Sequence, residues 1–176
     1  PFYQEPTYIQ ALANSIKPYL DKVDYVLFSY HGIPKRHLNV TDPTNAHCNK
    51  VENCCKVANT KAHQVCYRHQ CVQTTQKTLD VLGSAVKEWG LSFQSRLGPE
   101  PWLTPYTDKT IEELAKKGVK RLAIVCPAFV SDCLETLEEM GEEGKEIFEE
   151  HGGKSFHLIP CLNTNPDWVD ALVSYF

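Results

Sequence analysis

Residues 25–34, Tyr-Val-Leu-Phe-Ser-Tyr-His-Gly-Ile-Pro, decide the fold. The run Tyr25-Val26-Leu27-Phe28 is apolar, too short for a helix, and rich in aromatic and β-branched residues, so it reads as a buried strand. It ends in Ser29-Tyr30-His31-Gly32, and Pro34 stops any regular continuation. His31 therefore falls at the carboxyl end of a central strand, where open α/β sheets place their ligand chemistry. Histidine is also the side chain that exchanges a proton near neutral pH without special tuning. On position alone, a turn histidine held by hydrogen bonds is the plainer alternative.

Working outward, Tyr8, Ile9, Leu12, Ile16 and Leu20 recur close to helical spacing and predict a helix over 7–20. After the strand comes a long loop through Asp42-Pro43. Residues 44–65 are polar and poor in large apolar side chains, so the segment needs something other than its own core to hold it. A helix is predicted over 67–89, with Thr78, Leu79, Leu82 and Val86 on one face, and a strand over 91–95. Residues 96–106 carry three prolines and form an irregular loop around Trp102. Thr107 is expected to cap a helix that Gly118 ends. A strand follows at 122–125, then an acidic helix from 131 to Gly152-Gly153, a strand at 156–159, and a last helix opened by Pro166. This alternation predicts an α/β fold of three layers. A four-stranded, mainly parallel sheet carries helices on both faces.

The length of 176 residues fits one domain with a proper core. A hydrophobic share of 42% and a charged share of 23% are ordinary for a globular protein. The net charge of −4 argues against nucleic acid as the main partner. No apolar run is long enough to span a membrane. The chain starts at Pro1 and enters a helix almost at once, so it reads as a piece of a longer protein.

Two further stretches could carry chemistry. In Ser-Asp-Cys-Leu-Glu-Thr-Leu-Glu-Glu from Ser131, the carboxylates Asp132, Glu135 and Glu139 fall at i, i+3 and i+7 and would share one face of an α-helix. That face begins just after a strand, so its first carboxylates can point to the same sheet edge as His31. A solvated acidic face, favoured by the helix dipole, is the plainer alternative. The second stretch holds five of the eight cysteines, between Cys48 and Cys71, beside His47, His63 and His69. In a chain with this strand–helix alternation, clustered cysteines bind metal more often than they pair. Cys126, Cys133 and Cys161 are scattered among apolar residues and read as small buried hydrophobes.

The segments SYHGIP at 29–34, FQSRLGPEPWLTPYTD at 93–108, SDCLETLEE at 131–139 and LNTNP at 162–166 together resemble the signature segments of the ferrochelatase family. Its members insert ferrous iron into a porphyrin late in haem synthesis. Long motifs in the right order make the resemblance specific, and it covers nearly all of the chain outside 43–66. It implies that residues 1–176 are a chelatase-like half-domain, the carboxyl-terminal half, with 43–71 as a cysteine-rich insertion. The amino-terminal half would supply much of the porphyrin surface, so the fragment alone is expected to be inactive. Carried over by resemblance, His31 is the base that takes pyrrole protons and Glu135 is the catalytic glutamate. Asp132 and Glu139 continue a path for protons or metal, and Trp102, Phe129 and Tyr30 contact the porphyrin. The logic is consistent, because two protons must leave the macrocycle as a dication arrives.

Several family members carry a 2Fe–2S cluster on four cysteines, and the insertion resembles such a segment. Two quartets remain open. One is Cys48, one of Cys54 or Cys55, Cys66 and Cys71, since adjacent ligands are awkward for an unstrained backbone. The other is Cys48, Cys54, Cys55 and Cys66. A zinc site using His47, His63 or His69 is the alternative cofactor. The resemblance also implies a cytoplasmic enzyme, and leaves open peripheral contact with the inner membrane and a homodimer. Two rivals stand beside this reading. One is a non-catalytic metal- or cluster-sensing α/β module, which would not need a base and a carboxylate row on one sheet edge. The other is a chelatase for cobalt or nickel in another tetrapyrrole, against which the PWLTPYTD segment argues.

Overall fold

The computed structural model describes residues 1–175. Strand β1 (Tyr25–His31) is internal to a four-stranded sheet of order β2-β1-β3-β4, with β2 at Trp89–Gln94, β3 at Arg121–Val125 and β4 at Ser155–Leu158. Every neighbouring pair is parallel, as the strand–helix alternation requires. The strand repeat of two sorts the side chains of β1. Val26, Phe28 and Tyr30 enter a core with helices α1 (Pro6–Ile16), α4 (Tyr67–Leu82) and α7 (Pro166–Val173). Leu27 enters a second core on the other face, with α5 (Thr107–Lys116) and α6 (Gly144–Glu150). Each large side chain so buried contributes roughly 1.5–3 kcal/mol of transfer free energy. The sheet is thus covered on both faces. Short helices α2 (Lys35–Thr41) and α3 (Thr60–His63) flank the cysteine-bearing loop.

Three expected boundaries differ. The helix starting at Tyr67 stops at Leu82, because Gly83 takes φ +58°, and β2 already begins at Trp89. Thr107 is the first helical residue rather than the cap. Its hydroxyl turns inward to Ser29 (2.9 Å) and Ser92 (2.9 Å). The acidic helix starts at Glu135, not Ser131, and its first nine residues, Glu135–Glu143, form a π-helix that runs directly into α6. The last helix is described to Val173, and Phe176 lies outside the described residues.

The loop over 44–65 is a succession of turns. Asn45, Asn49 and Asn53 take left-handed backbone angles (φ 51°, 60° and 50°), a conformation asparagine tolerates better than most residues. The loop is organised locally by the buried Asp42. Its carboxylate accepts from Thr44 N–H (2.9 Å), the Thr44 hydroxyl (2.7 Å), His47 N–H (2.9 Å) and Cys48 N–H (2.9 Å). These bonds hold the Asp42 carboxyl well below the usual carboxylate range.

Candidate active site

His31 is the last residue of β1, and its neighbour Gly32 turns the chain out of the sheet. A Cβ at Gly32 would lie 2.9 Å from the Gln94 carbonyl oxygen and 3.2 Å from the Trp102 ring, so only glycine fits there. The His31 Nδ1 sits 2.5 Å from the Gly32 carbonyl oxygen. A carbonyl only accepts, so Nδ1 donates, and in the neutral ring the lone pair is on Nε2. That tautomer leaves Nε2 as the nitrogen that can accept a proton. Its backbone carbonyl is fixed by the Tyr67 hydroxyl at 2.8 Å. Two aromatic rings stand beside it, Trp102 at 6.4 Å and Phe129 at 6.0 Å between centroids. Trp102 is itself anchored by its indole N–H on the Leu97 carbonyl (3.0 Å).

Glu135 opens the π-helix on the same side of the sheet edge. Its own backbone N–H and the Cys133 thiol bond its carboxylate, and His31 lies within electrostatic reach. Together these lower its pKa, so it is ionised at neutral pH. The i→i+5 bonding of a π-helix widens the turn beyond four residues, so residues four apart share a side. Glu135, Glu139 and Glu143 follow that spacing. Glu139 accepts from the Ser95 N–H and hydroxyl, both at 2.6 Å, which pins Ser95 in a left-handed conformation (φ 64°). Glu139 and Glu143 line a cavity of about 200 Å³ with Ser95, Arg96 and Asp108. Arg96 grips Asp108 in a two-pronged ion pair (2.7 and 2.9 Å).

Two expected site residues are placed elsewhere. Asp132 lies before the helix, so it cannot share its face with Glu135 and Glu139. It is a clasp between loops: it accepts from the Cys161 N–H (3.1 Å) and the Asn163 amide (2.7 Å), while its own N–H donates to Asn163 (2.9 Å). Partial burial raises its carboxyl, and these bonds outweigh that and lower it. Tyr30 is buried, with its hydroxyl on Thr75 of α4 at 2.8 Å, so its side chain lies in the helix-covered core rather than at the sheet edge with His31. Neighbours on a strand point to opposite faces, and that rule alone separates Tyr30 from His31. Glu143 was passed over although an α-helical i, i+4, i+8 repeat already brings it near the side of Glu135 and Glu139, and the run of glutamates at every fourth position was the signal.

The cysteines separate in the same way. The Cys66 thiol is hydrogen-bonded by the thiols of Cys55 and Cys48, and the Cys55 contact leads in lowering it to about 5. The Arg68 Nη2 donates to Cys54 Sγ at 2.9 Å, and its guanidinium also bonds Cys55. Adjacent Cys54 and Cys55 therefore do turn to one place. The Arg68 Nε is buried among these thiols without a partner. Cys71 instead packs in the core beside Tyr8, Tyr30 and Tyr67, and burial pushes its thiol up. His47 and His63 both meet the Cys54 carbonyl (2.8 and 2.9 Å), and His69 stacks on His63 at 3.7 Å while meeting the Cys55 carbonyl (3.2 Å). Among the described residues, no three His, Cys, Asp or Glu side chains stand as a set for a single metal ion.

A family model described as Ferrochelatase matches residues 1–176. The chain is 50% identical over 174 residues to a ferrochelatase of Stutzerimonas stutzeri (strain A1501), covering 98% of the chain and 51% of that protein. It is 49% identical over 173 residues to one of Ectopseudomonas mendocina (strain ymp), and 49% identical over 175 residues to one of Pseudomonas fluorescens (strain Pf0-1). The chain spans about half the length of these curated relatives. Whole-chain agreement at this identity, on a parallel sheet with His31 and Glu135 at its carboxyl edge, leaves one assignment: the chain belongs to the ferrochelatase family.

Proposed function

We propose that this chain is the carboxyl-terminal half of an enzyme that inserts ferrous iron into a porphyrin. The observation that carries the reading is the tautomer of His31. Its Nδ1–H is committed to Gly32, leaving the Nε2 lone pair free between two aromatic rings and beside an ionised glutamate. In the reaction each pyrrole N–H gives up its proton as a nitrogen–metal bond forms, so two protons leave for one dication gained. Nε2 accepts a proton, and Glu135 stabilises the imidazolium that results. Glu139 and Glu143 extend the carboxylate row away from the macrocycle, as an exit for protons or an approach for a divalent cation. Trp102 and Phe129 suit a flat apolar ring. Leu97, Leu134 and Leu137 are exposed near these residues, which suits a second wall from an amino-terminal half.

For residues 43–71 the same reading assigns a 2Fe–2S cluster on Cys48, Cys54, Cys55 and Cys66. The four-thiol donor set and the partnerless Arg68 Nε beside it suit an anionic sulfur cluster. When bound, the cluster would supply a one-electron centre and a covalent clamp on a loop without its own core.

The test is metal insertion by the whole enzyme under anaerobic conditions, followed by loss of porphyrin fluorescence, with ferrous, cobalt and nickel ions compared. Insertion of iron that is lost in His31→Ala supports the reading. Insertion that survives the substitution removes the role of His31, and preference for cobalt or nickel redirects the substrate. Iron and zinc content with a reduced-state EPR spectrum decides the cysteine loop. About two irons per chain support the cluster, and about one zinc replaces it.

A further inference from the structure

Gln94, the last residue of β2, is only 3% exposed and has no place in the chemistry described above. It is the register partner of His31 across the sheet. Its backbone carbonyl accepts the Gly32 N–H at 2.8 Å, which fixes the turn that aims His31. Its side chain reaches the other reacting segment. The amide Nε2 lies 2.8 Å from the backbone carbonyl oxygen of Glu135, the residue that opens the π-helix. A carbonyl can only accept, so the amide nitrogen must face Glu135 and the amide oxygen must face the sheet. That oxygen accepts from the Ser29 hydroxyl at 2.8 Å and the Cys126 thiol at 3.5 Å.

Ser29 is then held in turn. With its own proton given to Gln94, it accepts from Thr107 at 2.9 Å, and the Thr107 hydroxyl accepts from Ser92 at 2.9 Å. The Ser29 hydroxyl also stands 3.6 Å from the Met140 sulfur, a weaker acceptor than the amide oxygen, so the stronger bonds give each hydroxyl one direction, and all of these side chains are buried. A satisfied polar network in a low-dielectric core has one preferred arrangement, because a rotation leaves a buried group without its partner. The amide of Gln94 is the end of that chain.

We propose that Gln94 is the positioning residue that sets the distance between His31 and Glu135. It holds the first through its main chain and the second through its side chain, so both reacting groups are referred to one atom framework rather than to two separate loops. The inference rests on the reading of His31 and Glu135 as the reacting pair. Loss of the amide should leave porphyrin binding intact and slow the step that needs both groups in register.

The experiment uses the whole enzyme and compares the parent, Gln94→Met, and Thr75→Val. The last removes an equally buried hydrogen bond, to Tyr30 on the opposite face of the sheet. In Gln94→Met, kcat for metal insertion is expected to fall at least about tenfold while KM for the porphyrin stays within about twofold. Thr75→Val is expected to lower the melting temperature and keep kcat within about twofold. Hydrogen exchange read by mass spectrometry should show protection lost in peptides covering 31–34 and 133–140 of Gln94→Met, and retained in α4 and α7. An unchanged kcat, or protection lost evenly across the domain, overturns the proposal. If Gln94→Met does not fold, the near-isosteric Gln94→Glu is read by the same criteria, since its ionised carboxylate keeps the Ser29 bond and opposes the Glu135 carbonyl. If the parent itself inserts no iron, the catalytic reading fails, and the exchange pattern alone still decides whether Gln94 couples the two segments.

Discussion

The corner around His31 is fixed by distant partners, and the cysteine loop mostly by its near neighbours. The bonds that hold the His31 corner run from Tyr67 to His31, from Gln94 to Glu135 and from Ser95 to Glu139, across 36, 41 and 44 residues. Those that hold the cysteine loop are shorter: Asp42 to Thr44, His47 and Cys48, and His47 and His63 to Cys54, span 2 to 9 residues, and Arg68 to Cys54 and His69 to Cys55 span 14. The corner therefore cannot come apart without separating the sheet from its helices, whereas the loop, anchored in the core by Cys48, Ala62 and Cys66, can loosen between those anchors. His31 ends a strand and Glu135 opens a helix tied to that strand edge, so the proposed base and carboxylate are held at a fixed spacing. The proposed thiol ligands lie in a segment that is free to be completed afterwards.

The largest effect should come from the corner. His31→Ala in the whole enzyme should cut insertion by about 10²–10⁴-fold and leave the visible spectrum of the cysteine loop untouched. A change in that spectrum would mean that the two regions are not independent. Next, Cys66→Ser should bleach the visible absorption, while Cys71→Ser should keep it and instead lower thermal stability through its place in the core. Bleaching by Cys71→Ser would return that residue to the ligand set.

A third effect is confined to the loop. Asp42→Asn should speed amide exchange over 43–66 with little change in global unfolding, and a matching fall in global stability would break the contrast drawn here. The pH dependence has a definite sign. The folded pKa of Asp42 is depressed, so its contribution is complete at neutral pH, declines once the pH falls below the ordinary carboxylate range, and is gone when the pH has passed the depressed value. Loop protection should therefore begin to fall where ordinary surface carboxylates titrate and keep falling below that range. The smallest effect is a control far from both regions. Asp24 pairs with the Arg121 guanidinium at 2.6 Å at the opposite end of the sheet, and both side chains are more than a third exposed. Asp24→Asn should cost about 0.2–1 kcal/mol in urea unfolding at neutral pH, and nothing below the depressed Asp24 pKa.

Much of the sheet was legible because its signals are local. The apolar runs at 25–28 and 122–125 are strands, each bounded by a breaker, and alternation with helices dictated the parallel order. His31 was legible for the same reason. Tyr30 was misplaced although the alternation rule for strands would have turned it inward. The carboxylate row was drawn on an α-helical repeat, and the π-helix that replaces it depends on packing that no window of sequence carries. At Gly144 an added Cβ would stand 3.3 Å from Ile111 and 3.5 Å from Phe156, and at Gly141 one would stand 3.2 Å from Leu158. The helix lies that close to α5 and β4 only because those positions have no side chain. Gln94 was invisible for a related reason. A glutamine ending a strand is ordinary until Ser29 and Glu135 are brought to either end of its amide.

The wide turn at Glu135–Glu143 also has a meaning for how this half-domain can vary in length. Most helices accept the loss of a residue at the surface with a rotation that the next loop absorbs. Here a single-codon deletion between Glu135 and Glu139 would leave too few residues for the wide turn. The helix would tighten toward the α form, and about 100° of rotation per residue would carry Glu139 off the Ser95 N–H. Substitutions in this stretch can be tolerated one at a time, but its reading frame of spacing cannot be shortened without dismantling the row.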